Sequence, residues 1–261
     1  MKAKVNGIAV NYEIAGEGPW VTLSHSLAWD MRMWDDFMPA LTKQFKVLRY
    51  DVRGHGGTDL TPGPYTLDLL ADDAHALLGS LGIQHTHWVG LSMGGMIGET
   101  IAVKYPRALQ SMVLADTTSR FPAEAGPQWL ERIKLAETQG MATIADHLLG
   151  RWFTEPFRKA QPDLIAKVGQ AIAATPVGGF TACAHAVRNI DLADRLPEIK
   201  IPVLVMVGEH DPGTTPPQAR AIHAGIAGSE LVIIPSAAHM SSAEQPAVFA
   251  DHMMRFLGRQ K

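Results

Sequence analysis

Val89-Gly90-Leu91-Ser92-Met93-Gly94-Gly95 fits the pattern G-x-S-x-G and lies between a short apolar run, His87-Trp88-Val89, and a segment of helical pattern. The glycines have a physical reason. A strand that turns sharply into a helix brings its two backbones together, and side chains at 90 and 94 would collide with the turn. Ser92 at the apex is then strained, with its hydroxyl raised above the sheet and the helix N-terminus favouring developing negative charge. Downstream, residues 93–105 read as a helix stopped by Pro106. Ser92 is the candidate nucleophile, and its reading as an elbow requires an acid and then a histidine further along the chain.

Outward from this turn, strands and helices alternate. Asn6-Gly7 separates two short alternating runs and predicts a two-residue hairpin, so the chain begins with antiparallel strands. Residues 20–24 and 46–50 predict strands and 34–43 a helix, while the glycine-punctuated 51–58 is a turn. Thr66 caps a helix whose apolar residues Leu70, Ala74, Leu77, Leu78 and Leu81 recur at helical spacing up to Gly82. Residues 111–115, 203–207 and 231–234 are aliphatic runs of strand length. Two-sided apolar strands alternating with helices predict a mostly parallel sheet covered on both faces. The interval 117–196 breaks the alternation with helical patterns only, and is expected to be a cap inserted into a core formed by 1–116 and 197–261.

The chain has 261 residues, 46% of them hydrophobic, which is enough for one large core. A net charge of −3 gives no general attraction for nucleic acid or an anionic membrane. The single cysteine, Cys183, excludes an internal disulfide, and no signal-peptide or membrane-length apolar run is read, so a cytoplasmic location is expected.

The nucleophile needs a base, and the base an orienting acid. His239, in the loop after the last strand, is the candidate base. Asp211, after the strand at 203–207, is the candidate acid, with Asp116 and Glu209 as rivals. The order Ser92, Asp211, His239 is the one such a sheet uses. The oxyanion formed on attack requires backbone donors, here the N–H groups of Met93 and, by its position after Ser24, Leu27. His85 and His87 lack a third metal ligand, so no metal is expected. Arg53 and His55 read as braces of a turn. Trp129 and Trp152 in the cap are candidate substrate contacts, and Arg132, Arg151 and Arg188 are unranked candidates for holding a substrate carboxylate.

The segments Arg49 to Gly56, Pro62 to Thr66, Gly90 to Met96, Arg151 to Thr154 and Ala238 to Pro246 resemble the α/β-hydrolase superfamily, and within it bacterial 3-oxoadipate enol-lactonases, over nearly the whole chain. The resemblance implies an α/β-hydrolase fold, with a mostly parallel eight-stranded sheet and a helical cap. It also implies a cofactor-free enzyme that opens an enol-lactone ring to give 3-oxoadipate. The chain departs from that family within the oxyanion loop, where Ala28-Trp29 follows Ser26-Leu27. Trp29, beside the reacting centre, is therefore expected to narrow the pocket or offer it a flat apolar wall. The substrate is expected to be a small ester or lactone, with an anionic group a fitting feature. Alternative readings are a carboxylesterase or other lactonase, a C–C bond hydrolase, and a ligand receptor retaining the triad.

Overall fold

The computed structural model describes residues 1–260. Eight strands form one sheet in the order β1-β2-β4-β3-β5-β6-β7-β8. They are β1 (Lys2–Val5), β2 (Ile8–Ala15), β3 (Trp20–Ser24), β4 (Lys46–Tyr50), β5 (Thr86–Leu91), β6 (Leu109–Ala115), β7 (Val203–Gly208) and β8 (Glu230–Ile234). β2 pairs antiparallel with both β1 and β4, and every other pairing is parallel. The Asn6-Gly7 hairpin forms as predicted, with Asn6 and Gly7 both at positive φ.

Every residue of β5 and of β7 is buried, which is why these strands carry no polar alternation. The helices of the core are α1 (Met38–Leu41), α2 (Leu67–Ser80) and α3 (Met93–Lys104), then α8 (Pro216–Gly225), α9 (Ser241–Glu244) and α10 (Pro246–Gly258). Thr66 caps α2 by accepting the Leu69 N–H, as its position predicts. The single helix expected over 34–43 is instead a 3₁₀ segment, Met31–Phe37, followed by the one-turn α1. Asp30 starts it earlier by accepting the Arg32 N–H, and Pro39 lacks the N–H that a continuous α-helix would need there.

Between β6 and β7 the chain makes α4 (Ala125–Trp152), α5 (Glu155–Ala160), α6 (Pro162–Ala173) and α7 (Val177–Arg188), then a 3₁₀ segment, Ala193–Glu198. α4 is two helices joined at Gly140, whose φ of 79° and ψ of 176° break the helical path. These helices lie over the carboxyl ends of the strands, so that Trp129, Leu148 and Val187 share a cavity with Ser92. β4 and β5 flank β3, so the chain's direction of winding reverses there. Such a reversal opens a crevice between the loops after β3 and β5.

Candidate active site

Ser92 is built into the sharp turn from β5 to α3. Its φ is +55°, a conformation that non-glycine residues rarely adopt. The turn is held from both sides: the Ser92 N–H donates to the Ala115 carbonyl at 2.8 Å, and Thr117 Oγ1 donates to the Ser92 carbonyl at 2.8 Å. A Cβ on Gly90 would strike the Gly94 carbonyl, and one on Gly94 would strike the Ser24 carbonyl. The glycines are therefore required by backbone contact, as the sequence pattern predicts.

The structure brings Ser92, His239 and Asp211 together although they lie far apart in sequence. Ser92 Oγ lies 3.0 Å from His239 Nε2, and His239 Nδ1 lies 2.7 Å from Asp211 Oδ2. A carboxylate only accepts, so Nδ1 carries the proton and Nε2 is free to accept from the serine hydroxyl. Burial disfavours a charged imidazole, but the Asp211 charge and hydrogen bond outweigh it and raise the His239 pKa. Burial likewise disfavours the Asp211 carboxylate, but the charge of His239 and bonds from His239 and Thr214 hold its pKa low. Thr214 Oγ1 donates to Asp211 Oδ2 at 2.7 Å, and the N–H groups of Gly213 and Thr214 donate to Oδ1.

The two rival acids have other partners. Glu209 is exposed and accepts from the Ser236 N–H. Asp116 is fully buried, accepting from the Gly208 N–H at 2.8 Å and from Ser241 Oγ at 2.6 Å. Burial and the neighbouring Asp211 charge raise its pKa well above the ordinary carboxyl range. Asp116 thus ties the acid-bearing strand to the helix after His239. Glu244 performs a similar tie on the other side of the same loop. Its Oε2 accepts from the Ala238 N–H at 2.5 Å, and its Oε1 accepts from the Thr154 N–H and hydroxyl at 2.9 and 2.6 Å.

A cavity of about 660 Å³ opens over Ser92 and His239 and is lined by Leu27, Trp129, Arg132, Arg151 and Trp152 among others. Arg132 is the unusual group. Its guanidinium lies over the Trp129 ring at 4.4 Å, and its buried Nε has no hydrogen-bond partner. Burial, with the Arg151 charge added, lowers its pKa to about 10. Arg188 is engaged elsewhere, donating to the Gly126 carbonyl and Asn189 side chain, and is not in the lining. Trp29 requires a correction. It does not line this cavity but stacks behind Trp152, centroids 6.2 Å apart and planes 11° from parallel, facing a smaller hollow of about 280 Å³. The positive φ of Ala28 turns the chain so that Trp29 supports the wall from behind. His85 and His87 engage the Arg107 carbonyl and Ser111 Oγ, respectively.

Residues 19–246 match the family model described as the alpha/beta hydrolase fold. The chain belongs to the α/β-hydrolase family. It is 33% identical over 245 residues to 3-oxoadipate enol-lactonase 2 of Acinetobacter baylyi, covering 93% of this chain and 90% of that protein. The enol-lactonase from Burkholderia xenovorans LB400 superposes with a TM-score of 0.96 at 36% identity, covering 99% of this chain and 100% of that one. A thermophilic esterase from Thermogutta terrifontis, described with malate bound, gives 0.94 at 30% identity, covering 100% and 99% respectively.

Several groups that shape the site of this α/β-hydrolase escape a reading of sequence. Thr214 stands three residues after Asp211, in a spacing that an aspartate turn could have suggested. Glu244 and Ser241 reach their partners across 90 and 125 residues respectively, and no local pattern signals such pairings. His25 also falls in this class, since its partner Val52 comes from the next loop along the sheet edge.

Proposed function

We propose that this hydrolase opens a small lactone or ester through an acyl-enzyme, with Ser92 as nucleophile, His239 as base and Asp211 as its orienting acid. The observation that carries the reading is the continuous relay of 3.0 and 2.7 Å from serine hydroxyl to imidazole to carboxylate, at the floor of a cavity lined by Ser92 and His239. His239 takes the Ser92 proton as Oγ attacks the carbonyl carbon, and the N–H groups of Leu27 and Met93 hold the oxyanion. The ring C–O bond then breaks, and His239 gives the proton to the departing oxygen. With an enol-lactone that oxygen becomes a ketone after tautomerisation, so the leaving group is weakly basic. Water, deprotonated by His239, hydrolyses the acyl-enzyme and restores Ser92. The helices between 117 and 196 serve as the cap that limits access of bulk water.

The substrate class we favour is an enol-lactone bearing a free carboxylate, 3-oxoadipate enol-lactone being the member that the similar enol-lactonases suggest. Arg132 supports this, because a half-buried guanidinium whose buried Nε–H has no partner is stabilised by a carboxylate entering the cavity. Arg151 adds positive charge in the same lining. The second reading, a simple carboxylesterase, is favoured by the apolar walls of Trp129 and Trp152 and by the similar esterase.

The test is turnover of the enol-lactone against a neutral aryl ester. The wild-type protein should prefer the lactone, and Ser92→Ala should lose about a million-fold on either. Arg132→Met should raise KM for the lactone by about 10- to 100-fold and leave KM for the neutral ester within about threefold. Equal loss on both substrates would remove the carboxylate from the proposal, and an active Ser92→Ala would end the acyl-enzyme reading.

A further inference from the structure

Two histidines outside the relay face each other beneath the loop that follows β3, and each reaches into the other's loop. His25 belongs to the loop after β3, and its Nε2 accepts the Val52 N–H from the loop after β4 at 2.8 Å. His55 belongs to the loop after β4, and its Nε2 accepts the Ala28 N–H from the loop after β3 at 3.1 Å. The rings are 5.4 Å apart and fully buried. With both Nε2 atoms accepting, the neutral rings carry their protons on Nδ1. His25 Nδ1–H donates to the Ser26 carbonyl at 2.7 Å, and His55 Nδ1–H points to the Arg53 carbonyl at 3.3 Å. Burial lowers both pKa values, His55 to about 3, which keeps the rings neutral and able to accept.

The geometry of the peptide bond gives this arrangement a consequence. The Ser26 carbonyl and the Leu27 N–H belong to one planar, trans peptide group and point in opposite directions. A donor fixed on the Ser26 carbonyl therefore fixes the direction of the Leu27 N–H and polarises it into a better donor. The next peptide group, that of the Leu27 carbonyl and Ala28 N–H, is fixed by His55 in the same way. Ala28 needs the support, since its φ of +63° is a strained conformation for a residue with a side chain.

We infer that His25 and His55 are positioning residues that lock the two peptide planes flanking Leu27, so that its N–H is aimed at the oxyanion before substrate arrives. The inference rests on the proposed role of Leu27 as an oxyanion donor, and it gives His55 a task beyond bracing its own turn. It also accounts for two histidines buried without an ion pair among the described residues at the edge of a hydrolytic site: each supplies an acceptor that reaches across loops, and His25 a donor within its own.

The experiment measures the rate at which a p-nitrophenyl alkylphosphonate modifies Ser92. The Ser92 Oγ–P bond forms, His239 takes the serine proton, and p-nitrophenolate leaves. Intact mass and phenolate release give the rate without knowledge of the natural substrate. Ser92→Ala should not react. His25→Leu and His55→Leu should each slow the reaction by about 100-fold, the loss expected for a misaligned oxyanion donor, with noncovalent affinity for the phosphonate unchanged. His25→Asn keeps a donor near the Ser26 carbonyl, and His55→Gln places an oxygen near the position of Nε2, so both should recover to within about tenfold of wild type. If a leucine variant does not fold, the comparison of His55→Gln with His55→Asn, whose amide is too short to reach the Ala28 N–H, replaces it. Folded leucine or asparagine variants reacting at the wild-type rate would overturn the brace. A reactive Ser92→Ala would instead overturn the reading of the nucleophile on which it rests.

Discussion

His239 sits where two opposing effects compete, and the sign of the outcome is measurable. Burial lowers an imidazole pKa, whereas the Asp211 carboxylate raises it, and the second wins, so the value lies above the ordinary 6.5. A base must be neutral in the free enzyme, so kcat/KM falls as pH drops through the raised value. The acid limb is thus expected above pH 6.5, not at the unperturbed value that the residue type alone implies. Asp211→Asn should move that limb down and reduce kcat by about 10⁴-fold, through loss of the correct tautomer as well as of charge. A wild-type limb at or below 6.5 would contradict the coupling. Glu99, in the helix behind Ser92, shows burial winning outright. Neither its carboxyl oxygens nor the nearby Ser119 hydroxyl has a hydrogen bond of normal geometry among the described residues, and burial lifts its pKa to about 8. The folded state holds this proton more tightly than the unfolded chain, whose value is near 4.5. The stability it provides is therefore full below 4.5 and is lost as pH rises to 8. Glu99→Gln stays neutral throughout, so its stability relative to wild type should climb across that window by on the order of 4 kcal/mol. Urea unfolding at pH 5 and pH 8 measures this, and an unchanged difference between the two would mean that Glu99 is ionised in the fold.

At the scale of elements, the turn from β5 to α3 was legible because its requirements are local. Gly90 and Gly94 are adjacent in space as well as near in sequence, and the helix that follows Ser92 announces itself by pattern and by Pro106. The hairpin at Asn6-Gly7 and the cap at Thr66 were legible for the same reason. Where helix pattern met a competing local bond, as at Asp30, or a glycine break in the helical path, as at Gly140, periodicity alone gave the wrong boundary or none. The site was legible through residue type and chain order, which is why Ser92, Asp211 and His239 could be named. Trp29 was misplaced because the backbone turn at Ala28 comes from tertiary bonds that sequence does not display. Two glycines give a direct test of how much a local contact decides. A methyl group on Gly94 would meet the Ser24 and His25 carbonyl groups, so Gly94→Ala should cost at least about 3 kcal/mol or prevent folding. Gly79, inside α2, has nothing within 4 Å of such a methyl, so Gly79→Ala should gain about 0.5 to 1 kcal/mol. Thermal unfolding of the pair reads both signs, and a destabilised Gly79→Ala would show that helix propensity does not govern that position.

Across the whole molecule, the helices between β6 and β7 and the sheet are joined at the point where the candidate base is carried. The Met240 N–H donates to the Trp152 carbonyl at 3.0 Å, so the end of α4 is bonded to the residue after His239. Glu244 completes the joint, receiving the Ala238 N–H from the histidine loop and the Thr154 N–H and hydroxyl from the start of α5. Trp152 is held against His239 as a result, with ring centroids 6.3 Å apart. One buried carboxylate therefore sets the seating of these helices and the position of the imidazole together. Glu244→Gln keeps an oxygen for Thr154 but presents an NH₂ group to the Ala238 N–H, opposing two donors in a buried place. That should cost about 2 kcal/mol of stability and lower kcat about tenfold as the histidine loop shifts. Thr154→Val removes only the hydroxyl on the helical side, so it should cost about 1 kcal/mol and leave kcat within about twofold. If the two sides act through the same carboxylate, the losses in the double variant should fall short of their sum. Urea unfolding and turnover on a common substrate measure both quantities. Full additivity, or a Glu244→Gln protein with wild-type kcat, would mean that these helices and the histidine loop are seated independently.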